Sequence, residues 1–356
     1  MEATITGTMD WHTLWENGPS TEEELEELLS RPTPALIDSL SRLSGDIVVL
    51  GVGGKMGPTL ARMARRALDA LGRKERVIGV ARFSDARAEQ NLQAAGVETL
   101  RCDLRDRAAV KKLPDAPNVI FMAGQKFGTT DAPEHTWIMN VIVPEIAAEK
   151  YIGARTVVFS TGCVYAETPV RYGGSLETDP LEPLGEYANS CIGRERVFSY
   201  YSKEHGTPVA LFRLYYAIEM RYGVLYDVAR KVADGTPIDV TMGHVNVVWQ
   251  GDANAWAIQC LEHATSPPFV INATGPEIIS IRTLAKRFGE LLGREPVIVG
   301  EEAPTAFLGN ARKAHALFGY PTVPLDRMTQ WVAQWIQRGG RSLDKPTHFE
   351  TRDGRY

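Results

Sequence analysis

Three apolar residues, Val48-Val49-Leu50, run straight into Gly51-Val52-Gly53-Gly54-Lys55-Met56-Gly57. Behind the last glycine, Leu60, Met63, Ala64, Ala67, Leu68 and Leu71 recur at helical spacing. A short buried strand, a glycine-dense turn and an amphipathic helix in that order form the opening crossover of a parallel α/β sheet. The glycines also suit a ligand. Gly51 permits a tight turn, Gly54 lets the main chain approach a pyrophosphate, and Gly57 lets the helix lie close to the strand. The helix N-terminus then offers free N–H groups and a positive dipole end to an anion. With Gly53, Lys55 and Met56, the turn reads as a dinucleotide cradle; a plain turn is the other reading of the same glycines.

The alternation continues. Strands are expected at Ile47 to Leu50, Arg76 to Val80, Glu98 to Arg101, Asn118 to Met122, Thr156 to Phe159 and Val209 to Leu214. Helices are expected between them at 58–71, 85–95, 106–112 and 134–149 and from Ala188 to His205. This predicts a doubly wound parallel sheet of the Rossmann type over residues 46–215. Past residue 215 the order loosens, with strands near 238–240 and 269–271 and helices near 252–263, 281–292 and 326–337. Residues 216–345 therefore read mainly as a smaller α+β substrate lobe, with segments able to return to the first domain, and 346–356 as a tail. Residues 1–45 form an N-terminal helical extension with patterns opening at Ser20-Thr21 and running from Pro34 to Leu43. It is expected to act as a packing arm or dimer contact, with Trp11 and Trp15 as anchors.

At 356 residues with 23% charged and 44% hydrophobic side chains, the balance is that of a globular protein, and a net charge of -5 offers no attraction to nucleic acid or anionic lipid. Cys102, Cys163, Cys191 and Cys260 are too scattered for a zinc site or redox dithiol, so no metal is expected and the thiols are read as reduced and cytoplasmic. Glu22, Glu23, Glu24 and Glu26 replace the basic-then-apolar order of a signal peptide, and no apolar run is long enough for a membrane span.

Arg82 follows the second strand, where an NAD-preferring fold places an acidic residue on the ribose. A guanidinium suits a 2′-phosphate, which favours NADP over NAD; a solvated strand-end arginine is the alternative. Asp103, after the third strand, is read either as an acceptor for the adenine amino group or as a helix N-cap.

Taken together, the motifs resemble the extended short-chain dehydrogenase/reductases, and among them the NAD-dependent epimerase/dehydratase group typified by UDP-galactose 4-epimerase, over residues 46–340. The markers are Gly51-x-x-Gly54-x-x-Gly57, Asp103-Leu104-x-Asp106, Val119-Ile120-Phe121-Met122-Ala123-Gly124-x-Lys126, Asn140-Val141, Phe159-Ser160-Thr161-Gly162-Cys163-Val164-Tyr165, and Gly185-Glu186-Tyr187 followed by Glu195. The resemblance implies that Leu104, Ala123, Gly124, Lys126 and Asn140 border the cofactor. It also implies that Thr161 holds the substrate oxygen, and that Tyr187 exchanges its proton as hydride leaves or reaches the same carbon.

One departure stands out. The family pairs its tyrosine with a lysine four residues on, and here that position is Cys191. A thiol neither binds the nicotinamide ribose well nor lowers a phenol's pKa from about 10. Lys126, or less directly Arg194 or Arg213, is one replacement for the charge. Glu186, Glu167 or His244 acting as acid or base is a second explanation. Loss of catalysis in an NADP-sensing regulatory protein is a third.

For the substrate, Cys163, Tyr216, His244 and Asn246 are the expected contacts, and aromatic walls suit sugar rings. The leading expectation is hydride transfer at a secondary alcohol of a sugar, sugar acid or nucleotide-sugar, by a homodimer. A dehydratase ranks last, because Gly162-Cys163 follows Thr161 in place of an Asp-Glu pair.

Overall fold

The computed structural model describes residues 11–126, 128 and 131–355. Its centre is a sheet of seven parallel strands: β1 (Ile47–Leu50), β2 (Val77–Ala81), β3 (Glu98–Arg101), β4 (Asn118–Phe121), β5 (Arg155–Thr161), β6 (Val209–Leu214) and β7 (Phe269–Ala273). They lie in the order β7-β6-β5-β4-β1-β2-β3. All of β1 is buried because helices cover both faces. Ile47 and Val49 pack among Leu60, Met63, Trp256 and Ile258, whereas Val48 and Leu50 pack among Ile146, Ala147 and Phe198. The chain reverses direction across the sheet between β1 and β4, and a groove opens there beyond the strands' carboxyl ends.

The helix expected over 134–149 is present in three parts: Pro133–Trp137, a wide π-helical turn Ile138–Ile142, and Val143–Lys150. Pro144 has no N–H for the Asn140 carbonyl, and the Val143 N–H bonds back to Ile138, so the turn widens at that point. The widened turn carries Asn140 with its side chain fully buried.

The smaller lobe forms around the helices Val224–Asp234, Ile281–Leu292 and Leu325–Gln337, whose Leu225, Val228, Phe288, Trp331 and Trp335 share one core. The chain leaves this lobe and comes back. The helix Gln250–His263 packs on the main sheet, and β7 pairs with β6 as its edge strand.

The N-terminal helices Glu22–Leu29 and Pro34–Ser41 span both parts. Thr21 and Glu24 close a capping box, Leu25 and Leu29 enter the smaller core, and Leu36 and Leu40 enter the main one. Glu27 pairs with Arg62 and Arg66 on one side, while Glu22 and Glu26 pair with Arg221 on the other. Trp15 meets Trp331 edge-on at 5.5 Å; the Trp11 side chain lies outside the described residues. No helix among the described residues is long and apolar enough to cross a membrane.

Candidate active site

Backbone geometry accounts for two of the three motif glycines. Gly51 has φ +85°, and a Cβ there would lie 2.6 Å from the Ala123 nitrogen. One on Gly57 would lie 2.2 Å from the Val52 carbonyl oxygen. Gly54 differs, since a Cβ would meet nothing closer than the Gly51 oxygen at 3.5 Å. Its bareness faces the groove, which fits close approach by a pyrophosphate at the N-terminus of the helix Gly57–Ala70. The residues present therefore suit a dinucleotide.

At the other end of the groove Arg82 is exposed, and its charge reaches the Asp103 carboxylate. Asp103 bonds chiefly with Arg105, which holds its pKa down to about 2. The N-cap reading of Asp103 is corrected, because Asp106 caps the next helix by accepting from Ala108 and Ala109. Leu104 is buried in the core beneath.

A cavity of about 270 Å³ joins the glycine turn to the smaller lobe, and Gly51, Gly54, Lys55, Met56, Lys126, Thr161, Cys163, Tyr187 and Tyr216 all line it. Residues brought there without any motif include Tyr222, Phe307 and Thr347. Thr347 had no sequence signal, since it is delivered by the C-terminal segment. Its N–H and hydroxyl bond Asp227, its carbonyl accepts from Lys126 at 3.0 Å, and Phe349 behind it is wholly buried.

Tyr187 opens the long helix Gly185–His205, and its side chain is hydrogen-bonded to both Thr161 and Cys191. Burial raises the phenol well above its usual pKa and the neighbouring Cys191 and Cys163 add to this; the Arg194 charge and the Thr161 hydrogen bond act the other way. Cys191 itself is pushed up to about 11 by burial, so it remains a neutral thiol at pH 7.

Arg194 lies on the same helix face, seven residues after Tyr187. It donates to the Phe159 carbonyl at 2.8 Å and to Asn140 Oδ1 at 2.7 Å, and its Nε has no hydrogen-bond partner. Gly124 makes room for it, since a Cβ there would be 2.4 Å from the guanidinium. Asn140, expected at the cofactor, is not among the cavity-lining residues; it grips the N–H and carbonyl of Gln125 and so holds the loop that carries Lys126. Arg213 forms a buried ion pair with Glu195, at 2.6 Å, whose carboxylate also accepts from Ser160.

Two expected substrate contacts lie away from the cavity lining. Asn246 bonds the Glu277 carbonyl and the Gly309 N–H, and His244 sits in a short strand pair with Ser280. The strand Val247–Trp249 that follows pairs with Tyr216–Ile218, so it is Tyr216 rather than the residues before Val247 that reaches the cavity. The other carboxylates considered as acid or base have partners of their own: Glu186 accepts from Trp137 and Glu167 pairs with Arg352.

Lys55 reaches into the cavity, donating to the Ala217 carbonyl at 3.0 Å with its ammonium 4.3 Å from the centre of the Tyr222 ring. Burial lowers its pKa from 10.5 to about 7, partly offset by Glu219. Between those values the folded chain binds fewer protons than the unfolded one, so this lysine's contribution makes stability rise with pH from about 7 to about 10.5. Below pH 7 the full cost of burying the ammonium is present. Lys55→Met is therefore expected to be more stable than the parent at pH 6.5, with the gap closing by pH 10; melting curves across that range check it.

The family model described as "NAD dependent epimerase/dehydratase family" matches residues 47–244, more than half of the chain. The chain belongs to this family. Its fold is shared with solved structures of low sequence identity. The UDP-glucuronic acid 4-epimerase of Bacillus cereus in complex with NAD has 19% identity and TM-score 0.68, covering 82% of this chain and 96% of that one. The UDP-glucose 4-epimerase of Thermus thermophilus with NAD has 20% identity and TM-score 0.66, covering 82% and 99%. The UDP-glucose 4-epimerase of Thermotoga maritima with UDP-glucose has 18% identity and TM-score 0.65, covering 83% and 99%. No curated relative matches the sequence.

Proposed function

We propose that this family member is an NAD(P)-dependent oxidoreductase or epimerase acting on a secondary alcohol of a sugar, sugar acid or nucleotide-sugar. One observation carries the reading: Tyr187, hydrogen-bonded to Thr161, lines the same cavity as the glycine turn. The similar solved structures, crystallised with NAD or UDP-glucose, support it.

A bound nicotinamide supplies or accepts hydride at the substrate carbon. Thr161 holds the substrate oxygen, and Tyr187 exchanges the proton on that same oxygen. With Cys191 where a lysine is usual, the phenol rests neutral and is poised to donate its proton to a carbonyl oxygen being reduced. For the reverse step the phenol must lose its proton; the Arg194 charge already favours that loss, and Lys126 on the neighbouring loop is a cation lining the same cavity as the phenol. Arg82 at the ribose end favours NADP, while the groove accepts either dinucleotide.

The protein works in the cytoplasm, as a homodimer that pairs the surface on which Trp137, Ile138, Ile142 and Tyr200 are exposed. Native mass spectrometry tests both readings, since it is expected to show a dimer and a retained NAD(P). Lys126→Ala is expected to lower both cofactor retention and turnover. A dinucleotide-sensing regulator would instead retain cofactor and produce no change at the reduced-nicotinamide absorbance band with any sugar.

A further inference from the structure

Two ammonium groups enter one cavity and approach the same wall. Lys55 lies against Ala217 and the Tyr222 ring, and Lys126 stands 6.0 Å from the centre of the Tyr216 ring while donating to Thr347. Residues 216–222 thus carry two aromatic rings, each with a cation beside it, on the substrate side of the site.

Lys55 starts in the glycine turn, so its natural reading is a cofactor ligand. Its direction argues otherwise. The groove's ribose end is marked by Arg82 and Asp103 beyond β2 and β3, whereas the Lys55 side chain crosses to the smaller lobe. Among the described residues no carboxylate lies within ion-pair distance of Lys55. Glu219, the acid whose charge it feels, is held by the Arg221 N–H and guanidinium. Burying an ammonium with a carbonyl and a ring face as company is unfavourable. A ligand bringing negative charge removes that cost.

We propose that Lys55 forms an anion subsite for the substrate, which carries a carboxylate or phosphate group that seats against the wall of Ala217 and Tyr222, with Lys126 further along the same cavity beside Tyr216. This rests on the dehydrogenase-type reading of the site and narrows its substrate to acidic sugars. Either charged group gives oxygens that Lys55 can donate to, and a neutral sugar brings no counter-charge to the buried Lys55 ammonium. Lys55 is then a specificity-determining residue. Its charge acts on the substrate and not on the dinucleotide.

The test titrates the NAD-loaded full chain with D-glucuronate, α-D-glucose 1-phosphate and D-glucose by calorimetry. At least one acid is expected to bind tenfold or more tighter than glucose, and which one identifies carboxylate or phosphate. Lys55→Met is expected to weaken that acid at least tenfold while NAD affinity stays within threefold, and Lys55→Arg to retain most of the binding. A melting temperature for Lys55→Met at or above the parent's excludes misfolding as the cause. Equal binding of glucose, no binding of either acid, or a parallel loss of NAD affinity in Lys55→Met overturns the subsite. If no dinucleotide binds at all, the function reading fails, and the same titrations on the unloaded chain still decide the subsite.

Discussion

Tyr187→Phe is expected to lower turnover by about 10²- to 10⁴-fold, the usual contribution of a positioned proton donor. Affinity for NAD(P) should stay within about threefold, because the phenyl ring keeps its packing beside Val164, Cys191 and Tyr215. The substitution removes one hydroxyl from a pair with Thr161 and leaves the glycine turn untouched. Steady-state rates and a cofactor titration on the same preparation separate the two effects. Unchanged turnover would remove Tyr187 from the reaction. The pH profile adds a second readout. With the parent phenol raised above its ordinary range, the oxidative direction should speed up on going to alkaline pH, where the phenol begins to ionise, and the reductive direction should not.

Arg213→Met is expected to destabilise the fold by about 3–5 kcal/mol, read as a lower urea midpoint, because it leaves the Glu195 carboxylate buried without its cation. Both side chains are about 5% exposed or less, and the pair ties the helix that carries Tyr187 to β6 while Ser160 ties it to β5. Arg213 also bonds the Tyr165 hydroxyl, which in turn bonds Asn272 on β7, so one guanidinium links four elements beneath Thr161. Removing both charges together, as Arg213→Met with Glu195→Leu, should recover most of the loss, since an apolar pair of similar volume meets no desolvation penalty. If the double variant is no more stable than the single one, the packing of the arginine stem rather than the stranded charge sets the cost.

Much of the cofactor half was legible in the sequence. Gly51 is required by its positive φ and Gly57 by its approach to Val52, both features of one local strand-turn-helix unit, and local units carry their signal in adjacent residues. The parallel sheet followed from alternation, because a strand buried on both faces reads as a continuous apolar run. The substrate half was less so. His244 and Asn246 stood out as polar residues in an apolar run, yet Asn246 serves two backbone groups and His244 lies in a strand paired with Ser280, away from the cavity lining. Polarity in a sequence does not distinguish a group aimed at a ligand from one satisfying the main chain. Lys55 gave the opposite case, where its place in a cofactor motif concealed a side chain directed at the other lobe.

From composition and spacing alone came the parallel sheet and the dinucleotide turn, and from the motifs the Tyr187–Thr161 pair and the absence of the usual lysine, because each depends on contacts within one strand-helix unit or on a residue's own functional groups. Tertiary structure decided that Arg194 fills the space left by Gly124 and that Thr347 returns from the far end of the chain to the cavity. It also decided that Lys55 reaches the Tyr222 ring while Lys126 stands beside Tyr216 in the same cavity. Those juxtapositions join residues far apart in the chain, and only the packing of one lobe against the other sets which side chains meet.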